Sequence, residues 1–281
     1  MGVKVMHYID EVREEIKEYR KQGYSIGLVP TMGYLHEGHL SLIKKAKEQN
    51  DKVVVSIFVN PTQFGPNEDL ASYPRDLERD IKLCDSEGAD IIFNPAVEEM
   101  YPTPSKTFVN VEEITDGLCG ATRKGHFKGV ASVVAKLFNI VKPDKAYFGQ
   151  KDAQQLAVIK RMVKDLNMDI EIVGCMTVRE EDNLAKSSRN IYLTPEQRKA
   201  ATVLSKSLFE AKRRVEEGEK EVKKIKQYIL DLIGQEPLAN IEYVEIVDAE
   251  NLQPLEIIDR QVLIALAVKI GKTRLIDNLT L

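Results

Sequence analysis

Apolar positions in the first 170 residues alternate between two spacings. Residues 8–22 place Ile9, Val12, Ile16 and Tyr19 three or four apart with charges between them, which is the period of an amphipathic helix. Residues 25–30 form a short continuous apolar run that reads as a buried strand, and residues 40–50 return to the helical pattern. Residues 52–59 contain Val53-Val54-Val55-Ser56-Ile57-Phe58-Val59, as a parallel strand covered on both faces should. The pattern repeats as helix over 75–87, strand 89–93, helix 128–141, strand 145–148, helix 152–166 and strand 170–173. Such alternation predicts βαβ units, hence an α/β doubly wound parallel sheet with helices on both faces. Ligands of these sheets sit at the carboxyl ends of the strands.

Near residue 175 the character changes. Thr194-Pro195-Glu196 reads as a helix start, with Thr194 as N-cap and Pro195 in the first position. Two charged helices are expected at 196–217 and 219–234, then strands at 241–247, 261–268 and 273–276. The chain is therefore expected to divide into a larger domain, 1–176, and a smaller α+β domain, 177–281.

With 281 residues, 43% of them hydrophobic, the chain has enough apolar material for a large core without staples. The 40 basic and 44 acidic residues give a net charge of −4, too balanced for a general nucleic-acid binder. Cys84, Cys119 and Cys175 are scattered and odd in number, so reduced thiols are expected, and a cytoplasmic location with them. No apolar run is long enough to span a bilayer, so no membrane partner is expected.

The polar motifs fall just after strands. Pro30-Thr31-Met32-Gly33-Tyr34-Leu35-His36-Glu37-Gly38-His39 follows one strand and opens a helix, where free backbone N–H groups face an anion. Imidazoles three apart can share one side of a first helical turn, and Gly38 removes a side chain where a phosphate would approach. Polar loop histidines are the plainer alternative; a zinc site lacks a third nearby ligand. After the last strand of the first domain, Asn183-Leu184-Ala185-Lys186-Ser187-Ser188-Arg189-Asn190 offers charge and hydroxyls to a polyphosphate. The HxGH turn and this loop together resemble the two signatures of the adenylate-forming superfamily of class I aminoacyl-tRNA synthetases and nucleotidylyltransferases.

Further segments narrow the resemblance: Phe58-Val59-Asn60-Pro61-Thr62-Gln63-Phe64-Gly65, Tyr73-Pro74-Arg75-Asp76, Gly125-His126-Phe127-Lys128-Gly129-Val130 and Phe148-Gly149-Gln150-Lys151-Asp152-Ala153-Gln154-Gln155-Leu156. In this order the set resembles the pantothenate synthetase (pantoate–β-alanine ligase) family, from about residue 4 to the C-terminus. The resemblance implies a Rossmann-like first domain that binds ATP and pantoate, and a C-terminal lid domain. It implies ATP as substrate, Mg2+ held mainly through the ATP phosphates, and no named protein ligand to the metal. Pantoate would attack the α-phosphate to give pantoyl-adenylate and pyrophosphate, and β-alanine would then displace AMP. A homodimer is also implied.

Carried over by motif, Met32, Gly33, Tyr34, Leu35, His36, Glu37, Gly38 and His39 line the ATP site, with Gly149, Gln150, Lys151, Asp152, Val178, Lys186, Ser187, Ser188 and Arg189 as its further contacts. His39 is the main catalytic candidate, with His36, Lys151 and Arg189 at the phosphates. Gln63 and Gln155 hold pantoate, and Gln63 borders β-alanine. Asn60, Tyr73, Arg75, Arg123 and His126 either touch substrate or stabilise a loop or the dimer, and Asp76 to Asp80 could help place magnesium. The chain departs from the family pattern at Lys186, where a methionine is usual, and at Asn183, where a glycine is common; Asn183 can keep the left-handed turn. A different nucleotidylyltransferase leaves the Gln63 and Gln155 segments unexplained, and a non-catalytic nucleotide sensor would be expected to lose a histidine or the Lys-Ser-Ser-Arg loop.

Overall fold

The computed structural model describes residues 2–66 and 68–281. It divides into two units: Met1–Glu112 with Arg123–Gln150 and Val158–Met176, and Glu113–Thr122 with Lys151–Ala157 and Thr177–Leu281. In chain order the elements are β1 (Lys4–Met6), α1 (Ile9–Lys21), β2 (Ile26–Thr31), α2 (Glu37–Gln49), β3 (Lys52–Ile57), α3 (Leu77–Ser86), β4 (Ile91–Phe93), α4 (Val97–Met100), α5 (Leu118–Thr122), α6 (His126–Val141), β5 (Lys145–Gly149), α7 (Ala153–Asp165) and β6 (Glu171–Cys175). They continue with α8 (Pro195–Ala200), α9 (Val203–Glu216), α10 (Val222–Gly234), β7 (Ala239–Asp248), β8 (Val262–Ile270) and β9 (Thr273–Thr280).

The first unit is built on a six-stranded sheet in the order β1-β4-β3-β2-β5-β6, parallel throughout. The expected α/β doubly wound fold is what forms. Successive strand residues point to opposite faces, so Val29, Val53, Val55 and Ile57 join Leu42, Ile43 and Ala46 of α2 in one core layer. The alternate residues Leu28 and Val54 are equally buried, and α6 packs on β2. That explains why these strands read as unbroken apolar runs. The chain runs β2, β3, β4 to one side and returns at β5 to the other side of β2, so the switch point lies between β2 and β5.

The second unit carries an antiparallel sheet, β7-β8-β9. Leu204, Leu208, Ala211, Ile225, Ile229 and Ile233 of α9 and α10 bury against Val244, Ile246, Ile264, Leu266 and Val268 of that sheet. Thr194 and Gln197 form a reciprocal capping box around Pro195 at the start of α8. The helix expected over 196–217 is broken at Ala201–Thr202, because the Thr202 hydroxyl takes the Lys199 carbonyl at 2.8 Å and competes with the backbone ladder. All three cysteines are free thiols. Among the described residues no helix is long and apolar enough to cross a membrane.

Candidate active site

Pairing between β2 and β5 is short: Gly27 with Lys145 and Leu28 with Ala146. The Ile26 carbonyl accepts from Asp144 N–H on the β5 side, and the Thr31 carbonyl accepts from Phe58 N–H on the β3 side. Main-chain groups of residues 26, 28 and 30 therefore face β5. Pro30 has no N–H to give there, and the pairing with β5 ends at Leu28 and Ala146, at the switch point where sheets of this kind bind ligands.

The turn from Thr31 to His39 occupies the carboxyl end of β2. The Thr31 hydroxyl donates to the Ser56 carbonyl (2.8 Å) and accepts from Gly33 N–H (3.1 Å), tying the turn to β3. Gly33 (φ +82°) and Tyr34 (φ +51°) are both left-handed. What holds them is a distant carboxylate: Asp80 of α3 accepts from Tyr34 N–H (2.7 Å) and Leu35 N–H (2.8 Å). Asp80 is 1% exposed. Burial pushes its carboxyl above the ordinary value, while those two N–H groups and Arg79 pull the other way. Arg79 itself donates to the Leu35 carbonyl (2.8 Å). Asp76 caps α3 by accepting from Arg79 N–H (3.1 Å). Both aspartates are thus engaged with backbone, the more direct account of why they are there.

Helix α2 begins at Glu37, three residues before the sequence pattern suggests, and this sets the two imidazoles. His36 is the N-cap: its Nδ1 accepts from Gly38 N–H (3.1 Å), and its own N–H donates to His39 Nδ1 (3.3 Å). This is a capping box built from two histidines, with ring centroids 4.1 Å apart. A ring nitrogen that accepts from a backbone N–H carries no proton, so the proton of each neutral ring sits on Nε2. A side chain at Gly38 would strike the His36 ring, with a Cβ 2.8 Å from Cε1. Gly38 is therefore required by the imidazole as much as by any anion.

Asn60 and Gln63 sit beside this turn. The Asn60 side chain, 1% exposed, caps the single 3-10 turn Pro61–Gln63 by accepting from Thr62 N–H (3.4 Å); it also accepts from Tyr101 OH (2.8 Å). Asn60 Nδ2 donates to Gln63 Oε1 (3.2 Å), and Gln63 Nε2 donates to Met32 Sδ (3.1 Å). His126 Nδ1 lies 2.8 Å from the Gln63 carbonyl, and Arg123 Nη1 lies 2.9 Å from His126 Nε2. Arg123 also forms a two-pronged pair with Glu68 (2.6 and 2.7 Å). Burial pushes the Glu68 carboxyl up, but Arg123 outweighs it and holds the group below its usual range. Arg75 donates to the Tyr73 (2.9 Å) and Leu70 (3.1 Å) carbonyls, a loop brace.

In the second unit, residues 178–186 fold as a short hairpin, with Glu180 N–H to the Leu184 carbonyl and Lys186 N–H to the Val178 carbonyl. Asn183 takes the left-handed conformation (φ +69°), so the turn does survive the loss of glycine. Lys186 Nζ pairs across the hairpin with Glu180 (3.1 Å). Ser187 caps the 3-10 turn Ser188–Tyr192 by accepting from Arg189 N–H (3.2 Å), and Ser188 is buried. Lys151 and Asp152 end the 3-10 turn Gln150–Asp152, and the Lys151 carbonyl accepts from Asn278 Nδ2 (2.7 Å). Gln155 is half-buried on the first turn of α7, after the buried Gln154. Gln154 Nε2 holds the Ile114 and Gly117 carbonyls, both at 2.9 Å.

Two supporting roles differ from what the sequence suggested, though each had a signal in it: Asp80, expected at most to help place magnesium, and Gly129, quoted only within its motif. Asp80 falls in the apolar stripe Leu77, Ile81, Cys84 of α3, where an acid must be buried and therefore bonded. Gly129 lies inside a helix, where glycine is unfavourable unless something approaches closely; the Thr62–Gln63 backbone does. Among the described residues, no three His, Cys, Asp or Glu side chains gather as a metal site.

Residues 4–280 match the family model described as pantoate-beta-alanine ligase. A pantothenate synthetase of Clostridium acetobutylicum is 61% identical over 278 residues, 99% of each chain. The crystal structure of pantothenate synthetase from Thermus thermophilus has 46% identity and a TM-score of 0.94, covering 99% of each chain. A pantoate-beta-alanine ligase from Francisella tularensis, described as complexed with beta-gamma ATP and beta-alanine, has 37% identity and a TM-score of 0.80, covering 99% of this chain and 97% of that one. The chain belongs to the pantoate-beta-alanine ligase family.

Proposed function

We propose that this enzyme condenses pantoate with β-alanine at the expense of ATP, through a pantoyl-adenylate, releasing pyrophosphate and then AMP. The observation that carries the mechanism is the double-histidine capping box at the carboxyl end of β2. It presents Nε2–H groups at a helix N-terminus, the arrangement suited to negative charge that builds on phosphate oxygens. His39 is the acid or charge stabiliser, and His36 its partner at the phosphates. The carboxylate of pantoate attacks the α-phosphate of MgATP, so the nucleophile belongs to the substrate. The magnesium enters as part of MgATP, carried by the polyphosphate.

In this reading Met32, Gly33, Tyr34, Leu35, Glu37, Gly38, Gly149 and Gln150 also line the nucleotide. Lys151, Asp152, Val178, Lys186, Ser187, Ser188 and Arg189 are further contacts, with Lys151 and Arg189 as cations for the pyrophosphate. For Lys186, pairing with Glu180 supports a backbone contact through its hairpin more than a free ammonium. Gln63 and Gln155 hold the hydroxy acid, and Gln63 borders β-alanine, as amides that both donate and accept can. That the enzyme works as a cytoplasmic homodimer is part of the same proposal.

The test is ATP–pyrophosphate exchange with pantoate, magnesium and no β-alanine. Exchange that depends on pantoate is expected; exchange supported by other hydroxy acids but not by pantoate overturns the assignment. His39→Ala should slow adenylation by about 10²- to 10⁴-fold, the usual loss for an acid or a charge stabiliser. Near-normal turnover in that variant removes His39 from the mechanism.

A further inference from the structure

Gln63 stands at the end of a 3-10 turn of three residues, far too short to hold its own shape. Its one local backbone bond, from Gln63 N–H to the Asn60 carbonyl, is long at 3.4 Å. The firmer restraint on its main chain comes from α6. The guanidinium of Arg123 can only donate, so His126 Nε2, 2.9 Å away, must accept. The imidazole is then neutral with its proton on Nδ1, and Nδ1–H donates to the Gln63 carbonyl at 2.8 Å; Arg123 Nη2 reaches the same oxygen only at 3.5 Å, so the imidazole is the firm contact. Arg123 has one orientation because Glu68 grips it with both carboxylate oxygens. Charge at Glu68 thus sets Arg123, Arg123 sets the His126 tautomer, and His126 sets the Gln63 backbone.

We propose that His126 is a positioning residue for the acid-binding amide: it relays the Glu68–Arg123 ion pair onto the Gln63 carbonyl and so aims the Gln63 side chain. His126 itself need not touch substrate. The relay resembles the orienting partner behind a metal-bound or catalytic imidazole, where the outer group acts by fixing tautomer and direction. The inference rests on the reading that Gln63 binds pantoate and borders β-alanine. Nucleotide affinity should change least, since Gln63 reaches the nucleotide lining only through its weak bond to Met32 Sδ.

The experiment measures KM for pantoate, β-alanine and ATP, with kcat and far-UV circular dichroism, in Gln63→Ala, His126→Ala and His126→Asn. Gln63→Ala should raise the pantoate constant. His126→Ala should raise the pantoate and β-alanine constants about three- to tenfold, the order of one lost hydrogen bond, with ATP within about twofold. His126→Asn, whose Nδ2–H can stand in for Nδ1–H, should recover most of that loss. If Gln63→Ala raises the pantoate constant and His126→Ala leaves it alone, the relay is wrong. A rise in the ATP constant as large as the others, or an asparagine variant as damaged as alanine, marks a merely structural residue and overturns the proposal. If Gln63→Ala changes nothing, the reading beneath it fails first, and the relay with it. Should His126→Ala not fold, Arg123→Leu carries the same test: pantoate and β-alanine constants rise alone, and unchanged constants overturn the relay.

Discussion

Gly129→Ala is expected to destabilise the protein even though it puts the best helix former into a helix interior. Propensity alone predicts a gain of about 1 kcal/mol. Against it, a Cβ at position 129 would lie 2.6 Å from the Thr62 carbonyl carbon and 2.7 Å from Gln63 N, closer still to the Thr62 oxygen. Real Cβ contacts stop near 3.0 Å; the carbonyl carbon at 2.6 Å already falls short of that, and the nearer Thr62 oxygen requires α6 and the 61–63 turn to separate further still. The obstacle is backbone, which has no rotamer to swing aside, and the turn is pinned through Asn60 Nδ2 to the Gly129 carbonyl (3.3 Å). Overpacking costs about 1–3 kcal/mol, with a backbone obstacle at the upper end. Net of propensity, about 2 kcal/mol is lost, or about 3–4 °C in Tm at this size. Thermal denaturation followed by circular dichroism reads this directly. Gly234→Ala, at the end of α10 with open space around it, is the internal comparison and should hold or gain about 1 kcal/mol. A Gly129→Ala protein that melts at or above the wild-type temperature would refute the close approach.

Asp277→Ala should destabilise the second unit by about 3–5 kcal/mol in urea, because it strands Arg179, which Asp277 holds at 2.7 and 2.9 Å from a site 2% exposed; a loss under about 1 kcal/mol would contradict that. Burial raises the Asp90 carboxyl, but Lys47, Lys52 and Val53 N–H outweigh it and depress the net value. A depressed carboxyl adds stability above its ordinary value of 3.8 and loses it as pH falls through the folded value. The urea midpoint should therefore drop on acidification below about pH 4, and Asp90→Asn should begin lower at neutral pH with a flatter acid limb. Cys84, fully buried with its thiol pushed up to about 12 by burial and by Asp80, should resist thiol reagents in the native protein and react on unfolding; native labelling at the rate of the unfolded chain would contradict its burial.

The parallel core was legible because its strands are buried on both faces, so Val53 to Phe58 could not be mistaken for a half-exposed strand. What stayed hidden depends on partners far along the chain. Strand β1 has three residues and is defined only by its ladder with β4. Helix α5 is one turn long, and Gln154 accepts from Cys119 N–H (2.9 Å) within it. In the site, motif spacing pointed to the double-histidine turn but not to its geometry. The caps that fix both tautomers require α2 to start at Glu37, and apolar periodicity, which begins at Leu40, is blind to a first turn made of Glu37, Gly38 and His39. Asp80 was visible as an acid in an apolar stripe, yet its partners, Tyr34 and Leu35 N–H, lie 45 residues or more away.

The place of Pro30 matters before the protein is finished. On the ribosome, β2, β3 and β4 emerge and can pair while β5, which begins at Lys145, has yet to be made. During that interval β2 is a bare edge carrying Ile26, Leu28 and Val29, a template onto which another nascent chain could add. Pro30 withholds a main-chain donor on the very side that waits for β5, so a foreign strand can propagate no further there than β5 eventually does. The missing N–H that ends the pairing with β5 in the folded enzyme would end pairing with an intruding strand at the same place.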